Sequence, residues 1–257
     1  MTISAKNSPA VVPDPNEFGL APGLRATGGI FSGGTRKVNP KIVWERFGDT
    51  SNYVEFIAGG LRALAGRPND HDWWNRIESI NDPECFIANF WRSFRDAPDQ
   101  VAAHALMPAP PVARWDRAKF TSTIMSDPNF YDIEVAALWL ASIQKHAGTE
   151  IVDTEAALIA SQQIANRLRG VRVSCGAWTR LLKQAARPRK GQHSAIFLDP
   201  PLMSSDDSWC LYTLQKKTVD TRAIHFQARE WALANGSDPR CRIVHRHRCS
   251  APPPVVW

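Results

Sequence analysis

The feature that most limits the fold is the alternation of short apolar segments with segments of helical periodicity. Residues 53–57 (YVEFI) have the composition of a buried strand, and the turn at 58–60 leads from them into a predicted helix. A second predicted strand, 77–80, is followed by Asn-Asp-Pro and then by apolar residues at helical spacing, with Pro83 as the expected first helical residue. Two strand-to-helix transitions in succession are typical of a parallel sheet with crossover helices. The sequence therefore predicts an α/β fold.

This alternation stops in the middle of the chain and returns near its end. Helical patterns dominate residues 99–169, after which apolar strands and helices alternate again. These later strands are predicted at 171–174, 195–198 and 242–244, with helices near 178–184 and 221–234. The predicted organisation is a flexible N-terminal arm (1–28), a first half of the α/β domain (29–98), a helical insertion (99–169), a second half (170–244) and an irregular tail (245–257).

The overall composition is that of a water-soluble globular protein. Hydrophobic residues make up 44% of the 257 residues, and charged residues make up 22%. No apolar run reaches the roughly 18 residues that a membrane-spanning helix needs, and the first residues lack the pattern of a signal peptide. We therefore expect a cytoplasmic protein without membrane contact. Because the five cysteines show no CxxC or CxxH spacing, we expect free thiols and no metal site.

A small excess of positive charge is the compositional sign of a partner. The 31 Lys and Arg residues exceed the 25 Asp and Glu residues, which gives a formal net charge of +6. A basic surface favours polyanions such as DNA, because each cation placed on a phosphate releases counterions. Many proteins of similar charge bind no nucleic acid, so charge alone does not decide the partner.

Three of the predicted strands end in residues that suit a ligand site. In open α/β sheets, ligands bind beyond the carboxyl ends of the strands. Glu55 with the glycine turn that follows it, Asp82, and Asp199 with two prolines occupy three such ends. A glycine pair is usually only a tight turn, and Asn-Asp-Pro usually only starts a helix. Two prolines after an apolar strand are rarer, since they remove two N–H donors and keep the backbone extended, and the three ends together predict a binding crevice.

Four segments, in order along the chain, resemble motifs of one group of DNA adenine methyltransferases. In this group the cofactor motif precedes the DNA-recognition region. Residues 31–37 (FSGGTRK) resemble its YxGGK stretch, and residues 52–60 (NYVEFIAGG) resemble its YVEPFxGSG cofactor loop. Residues 80–84 (INDPE) resemble its VNDxD segment, and residues 197–202 (FLDPPL) resemble its catalytic FLDPPY motif. The resemblance extends discontinuously over residues 31–243, and the ordered set is specific although no single member is.

The resemblance implies a Rossmann-like S-adenosylmethionine methyltransferase sheet with helices on both faces and a helical insertion that holds a reduced target-recognition region. It implies S-adenosylmethionine as the cofactor and double-stranded DNA as the partner. The methyl group would pass to the exocyclic amine of an adenine flipped out of the duplex. The implied cofactor-binding residues are Phe31, Gly33, Gly34, Lys37, Glu55, Ala58, Gly59, Gly60 and Asp82, and the implied catalytic residues are Asp199, Pro200, Pro201 and Leu202.

The implied roles follow the chemistry of the amine, and one position departs from the motif. The carboxylate of Asp199 and the carbonyl of Pro200 would accept hydrogen bonds from the amine, and Asp82 would bind the cofactor ribose. Leu202 stands where the family has a tyrosine that stacks on the flipped base, and such stacking contributes about 1–3 kcal/mol. Three hypotheses stay open: an active methyltransferase, a relative that keeps cofactor or DNA binding without turnover, and a nucleotide- or DNA-binding protein in which Asp-Pro-Pro is only a rigid turn.

Overall fold

The computed structural model of the protein describes residues 39–68, 76–83, 85–105, 116–147, 162, 165–179, 182, 193–200 and 221–246. Several predictions lie outside these residues. They concern the N-terminal arm, the four proposed cofactor residues Phe31, Gly33, Gly34 and Lys37, the proposed catalytic residues Pro201 and Leu202, and the tail beyond residue 246.

The described strands form one parallel sheet. In chain order they are β1 (Asn52–Glu55), β2 (Ile77–Asp82), β3 (Arg172–Cys175), β4 (Ser194–Leu198) and β5 (Cys241–His245). Their order across the sheet is β3-β2-β1-β4-β5, and all four neighbouring pairs are parallel. This confirms an α/β fold with a parallel sheet. The order matches the first five strands of the established dinucleotide-binding arrangement, so the sheet is compatible with a Rossmann-like fold.

The two central strands are buried on both faces because helices cover both sides of the sheet. Every residue of β1 and β4 is buried. Successive side chains of a strand point to opposite faces, so Tyr53 and Phe197 enter one hydrophobic cluster, the first core, and Val54 and Ile196 enter another, the second core. The sheet is therefore a middle layer between two apolar cores.

Seven helices are assigned within the described residues. They are α1 (Pro40–Phe47), α2 (Arg62–Ala65), α3 (Cys85–Asp96), α4 (Pro98–Ala105), α5 (Arg117–Ser126), α6 (Ile133–Ala147) and α7 (Thr221–Asn235). Helices α1, α3, α5 and α6 contribute side chains to the first core, and α7 contributes to the second core together with Trp178. No helix in the part of the chain that the structure describes is long and apolar enough to span a membrane.

Helix α1 was not predicted, although its N-terminus carries ordinary helix-start signals. The Asn39 side chain accepts a hydrogen bond from the Lys41 N–H at 3.1 Å, and Pro40 occupies the first helical position. The helix is short, and it becomes stable by burying Trp44 and Phe47 in the first core.

The helices of the predicted insertion pack into the main domain. Helix α6 contacts both α3 and α4, and α5 contacts β3. Trp139 of α6 lies with its ring centroid 4.8 Å from that of Phe90 of α3, so the two aromatic side chains join this region to the first core.

A buried arginine fixes the connection between α5 and α6. Arg92 of α3 is only 1% exposed, and it donates hydrogen bonds to the backbone carbonyls of Ile124, Asp127, Phe130 and Val173 at 2.9–3.1 Å. These bonds connect the guanidinium to carbonyls at the end of α5, in the turn that follows and in β3, and they satisfy the donors of the buried arginine.

Several predicted boundaries differ from the observed ones. Strand β1 ends at Glu55, because the next two residues already belong to the turn, and β2 continues to Asp82, because β3 pairs with it that far. Helix α3 begins at Cys85, two residues after the expected Pro83. Strand β5 runs to His245, one residue into the predicted irregular tail, because it pairs with β4 up to that point.

Candidate functional site

The strand order brings three of the predicted site segments to one edge of the sheet. From β1 the chain proceeds outward to β2 and β3, whereas β4 lies on the other side of β1 and leads to β5. The direction of winding therefore reverses between β1 and β4, which is where open α/β sheets bind ligands. Asp82, Glu55 and Asp199 stand at the ends of β2, β1 and β4, and we call this side of the sheet the carboxyl edge.

The turn after β1 leaves one stretch of backbone open at this edge. Gly59 has φ of +44°, a conformation that favours glycine, and a Cβ atom built on it would have no described atom within 4 Å. The Gly59 N–H donates to Asp82 Oδ2 at 3.0 Å, and the Gly59 carbonyl accepts from the Trp91 indole N–H at 2.9 Å. The turn is thus held from two sides while space remains over its glycine.

A second set of hydrogen bonds connects the ends of β1, β2 and β3. The Asn81 amide is buried and donates to the Phe56 carbonyl at 3.1 Å and to the Gly176 carbonyl at 3.0 Å. The Ala58 N–H donates to the Asn81 carbonyl at 3.0 Å. Ala58 itself is buried in the first core, so its side chain packs beneath the turn.

Glu55 is buried at the end of β1, with only 2% of its surface exposed. Its Oε2 atom accepts a hydrogen bond from the Tyr53 hydroxyl at 2.8 Å, and the backbone N–H of Leu64 donates to the same carboxyl group. Burial raises the pKa of Glu55 from its usual 4.5 to about 8, and the charges of Asp199 and Asp82 act in the same direction. Glu55 is therefore mainly protonated at neutral pH and supports the turn from below.

Asp199 is the most accessible of the three acids whose side chains are described at this edge. Its side chain is 24% exposed, and its Oδ2 atom accepts a hydrogen bond from Arg246 Nη1 at 2.8 Å. Burial raises the pKa of Asp199, whereas the guanidinium of Arg246 acts to lower it. Pro200, which follows, is buried. An acceptor that can face a ligand therefore stands at the end of β4.

Arg246 is a site residue that the sequence analysis missed. It falls in the segment predicted as an irregular tail, yet its backbone N–H donates to the Leu198 carbonyl at 2.8 Å. The strand predicted at 242–244 could have indicated Arg246. A residue just beyond an edge strand lies beside the end of the neighbouring strand.

Phe56 and Ile57, the first two residues of the turn after β1, point away from the carboxyl edge. Both are buried in the second core. The ring centroid of Phe56 lies 6.2 Å from that of Trp178 and 6.5 Å from that of Trp231. Their side chains therefore fill the core under α7 and leave the space above Gly59 clear.

The carboxyl edge offers a ligand an uncovered stretch of backbone at Gly59 and, next to it, the carboxylate of Asp82, a residue that is only 1% exposed. The open face of Gly59 admits close approach to the backbone, and the carboxylate of Asp82 is an acceptor for hydroxyl groups. Among the described residues there is no group of three or more His, Cys, Asp or Glu side chains arranged to hold a metal ion.

Comparison with models of known protein families gives no match for this chain, and comparison with curated proteins also gives none. The chemistry of the candidate site therefore has to be argued from its own residues.

Proposed function

We propose that the protein binds S-adenosylmethionine at the carboxyl edge and transfers the methyl group to the exocyclic amine of adenine in double-stranded DNA. The observation that carries this proposal is the spatial order of the strand ends. Asp82, the Gly59 turn and Asp199 stand on the neighbouring strands β2, β1 and β4, at the reversal of winding. The described parts of three of the four motifs that resemble the methyltransferase family thus lie on neighbouring strands and are also ordered in sequence.

Each residue has a distinct role in the proposed reaction. The Asp82 carboxylate accepts hydrogen bonds from the ribose hydroxyls, and the bare backbone of Gly59 lets the cofactor lie close to β1. When bound, the cofactor supplies a methyl group activated by a sulfonium centre. Asp199 and the Pro200 carbonyl accept hydrogen bonds from the adenine amine, which favours a tetrahedral nitrogen and the positive charge that develops on it.

Two measurements test this function in sequence. Calorimetric titration with S-adenosylmethionine is expected to show saturable binding that the demethylated product competes away. Transfer of tritium from methyl-labelled cofactor to an adenine-containing duplex is then expected to occur. Absence of both heat and competition would contradict the proposed cofactor and favour a protein that uses Asp-Pro-Pro only as a turn.

Asp199→Ala separates catalysis from binding. We expect it to abolish methyl transfer while the affinity for S-adenosylmethionine stays within about threefold of the wild type, equivalent to about 0.7 kcal/mol. Asp238→Ala is the matched control, because Asp238 precedes β5 at the opposite end of the strand and its carboxylate pairs with the exposed Arg240. Unchanged transfer in Asp199→Ala would remove this residue from the mechanism.

The ion pair at Asp199 favours a second candidate, a protein that binds the cofactor but does not turn over. Arg246 already donates to Oδ2 of Asp199, so one of the two oxygens that could accept from the amine is occupied. Leu202 also supplies no aromatic ring for the flipped base. Under this alternative, cofactor binds without transfer, and Leu202→Tyr combined with Arg246→Ala raises transfer above background.

A further inference from the structure

Two cysteines meet beside the carboxyl edge and take no part in the proposed transfer. Cys85 is the first residue of α3, and Cys175 is the last residue of β3. Their Sγ atoms lie 3.2 Å apart, with the Cys175 thiol donating a hydrogen bond to Cys85, although 90 residues separate them in the chain. Because α3 packs on β2 and β3, the fold itself keeps the two sulfur atoms together.

We propose that Cys85 and Cys175 form a redox modification site, in which hydrogen peroxide converts the two thiols to a disulfide and a low-molecular-weight thiol restores them. A disulfide requires the sulfur atoms to approach to about 2.05 Å, so they need to move closer by about 1.2 Å. Both cysteines are free in the structure. Rotation about the side-chain bonds of the two cysteines is the movement that this approach requires.

The chemistry balances with peroxide as the oxidant. The Cys85 thiolate attacks one peroxide oxygen, the O–O bond breaks, and the departing hydroxide takes up a proton to become water. The Cys175 sulfur then attacks the sulfenic acid on Cys85, which forms the S–S bond and releases a second water. Two thiols and one peroxide thus give one disulfide and two waters, with two electrons passing from sulfur to oxygen.

The surroundings of the two sulfurs fit these roles. The hydrogen bond from Cys175 lowers the pKa of the Cys85 thiol, and thiolate is the reactive form. Cys175 is partly exposed, so solvent and a molecule as small as hydrogen peroxide can reach the pair. Cys85 itself is buried, so the partly exposed Cys175 provides the route from solvent; Cys241 is also buried, but in the second core on the other face of the sheet. This makes Cys241 an internal control for general oxidation.

The disulfide would join α3 to β3 around Asp82. Cys175 is the register partner of Asp82, and the Gly176 N–H donates to the Asp82 carbonyl at 3.3 Å. Closing the S–S bond therefore restrains two segments next to Asp82: the helix α3 that follows it in the chain and the end of β3 that pairs with it. An effect on S-adenosylmethionine affinity follows from this position and rests on the proposed function, whereas formation of the disulfide does not.

The test uses the full-length protein, treated with hydrogen peroxide and then alkylated and digested without reduction. We expect a peptide pair joined through Cys85 and Cys175, lighter by two hydrogen atoms than the reduced pair and absent after treatment with dithiothreitol. Cys241 should remain alkylated as a free thiol. Cys85→Ser and Cys175→Ser should each abolish the linked pair, and oxidation in denaturant should give mixed pairings. Folded protein in which both thiols stay free, or pair with other cysteines, would overturn the proposal.

Calorimetry then separates this inference from the proposed function. Oxidised and reduced protein are titrated with S-adenosylmethionine, and we expect their dissociation constants to differ by threefold or more. Equal affinity in protein that carries the disulfide would refute the effect on the cofactor but not the modification site. Failure of both forms to bind would contradict the proposed function and leave the disulfide result unaffected.

Discussion

Gly59→Ala probes the space above the turn after β1, where the cofactor is proposed to lie. A Cβ atom at this position meets no described atom within 4 Å, so the variant introduces no steric clash with the described residues. The backbone φ of +44° is unfavourable for alanine and costs roughly 1–2 kcal/mol of folding stability. For a chain of this size, that loss corresponds to a fall in Tm of roughly 2–8 °C.

Gly170→Ala is a matched control with the same physical penalty at the other end of the sheet. Gly170 has φ of +86° and also has no described atom within 4 Å of a built Cβ. It precedes β3, at the amino ends of the strands, away from the carboxyl edge. Both variants should therefore lose similar stability, while only Gly59→Ala places a methyl group where the cofactor is proposed to approach.

Thermal unfolding and calorimetric titration with S-adenosylmethionine measure the two effects separately. We expect Gly59→Ala to weaken binding at least tenfold, which is about 1.4 kcal/mol, and Gly170→Ala to leave the dissociation constant unchanged. Wild-type affinity in Gly59→Ala would show that the space above Gly59 is not the cofactor site. A parallel loss in Gly170→Ala would show that the effect comes from general destabilisation.

Three further predictions concern the ionisable side chains of Arg92, Glu55 and Asp199. Arg92→Met should lower the free energy of unfolding by about 3 kcal/mol or more, because four carbonyls lose their hydrogen bonds to the guanidinium, and denaturant unfolding measures the loss. Folded Glu55 holds its proton up to about pH 8 while the unfolded chain releases it near 4.5, so the stability of the wild type falls as pH rises through that window. Glu55→Gln has no proton to release at this position and should remove this fall. The Tm of the variant minus the Tm of the wild type should therefore increase from pH 5 to pH 8, and a constant difference would contradict the pKa shift. Arg246→Ala should raise the pKa of Asp199, as read from its carboxyl carbon by NMR, because the neighbouring cation is lost, whereas Arg240→Ala should leave that pKa unchanged.

The sheet was most predictable where a strand is a continuous apolar segment. Segments such as 195–198 are buried on both faces, and this burial leaves a strong signal in the sequence. The polar residues at the strand ends were equally visible, since they interrupt the apolar segments at Asp82 and Asp199. The identity of the cofactor remains a prediction, because it rests on the resemblance of these ends to a known family.

The contacts between distant segments could not be predicted from local patterns. The pairing of Asp199 with Arg246 joins residues 47 positions apart, and neither neighbourhood signals the other. The cysteine pair likewise lacks any spacing motif and arises only because β3 lies beside β2. Arg92 occurs at an apolar helical position, and its role depends on a turn that lies more than thirty residues later.

The Asn81 side chain has a consequence for how the site can adapt to a ligand. One amide group restrains the loops that follow two different strands, so a shift of either loop strains the other. Adjustment to an arriving molecule is therefore expected to occur on the β4–β5 side, where the restraint is a partly exposed ion pair that water and salt can weaken. The ends of β1, β2 and β3 are therefore expected to keep their positions when a ligand binds, whereas the ends of β4 and β5 are expected to move.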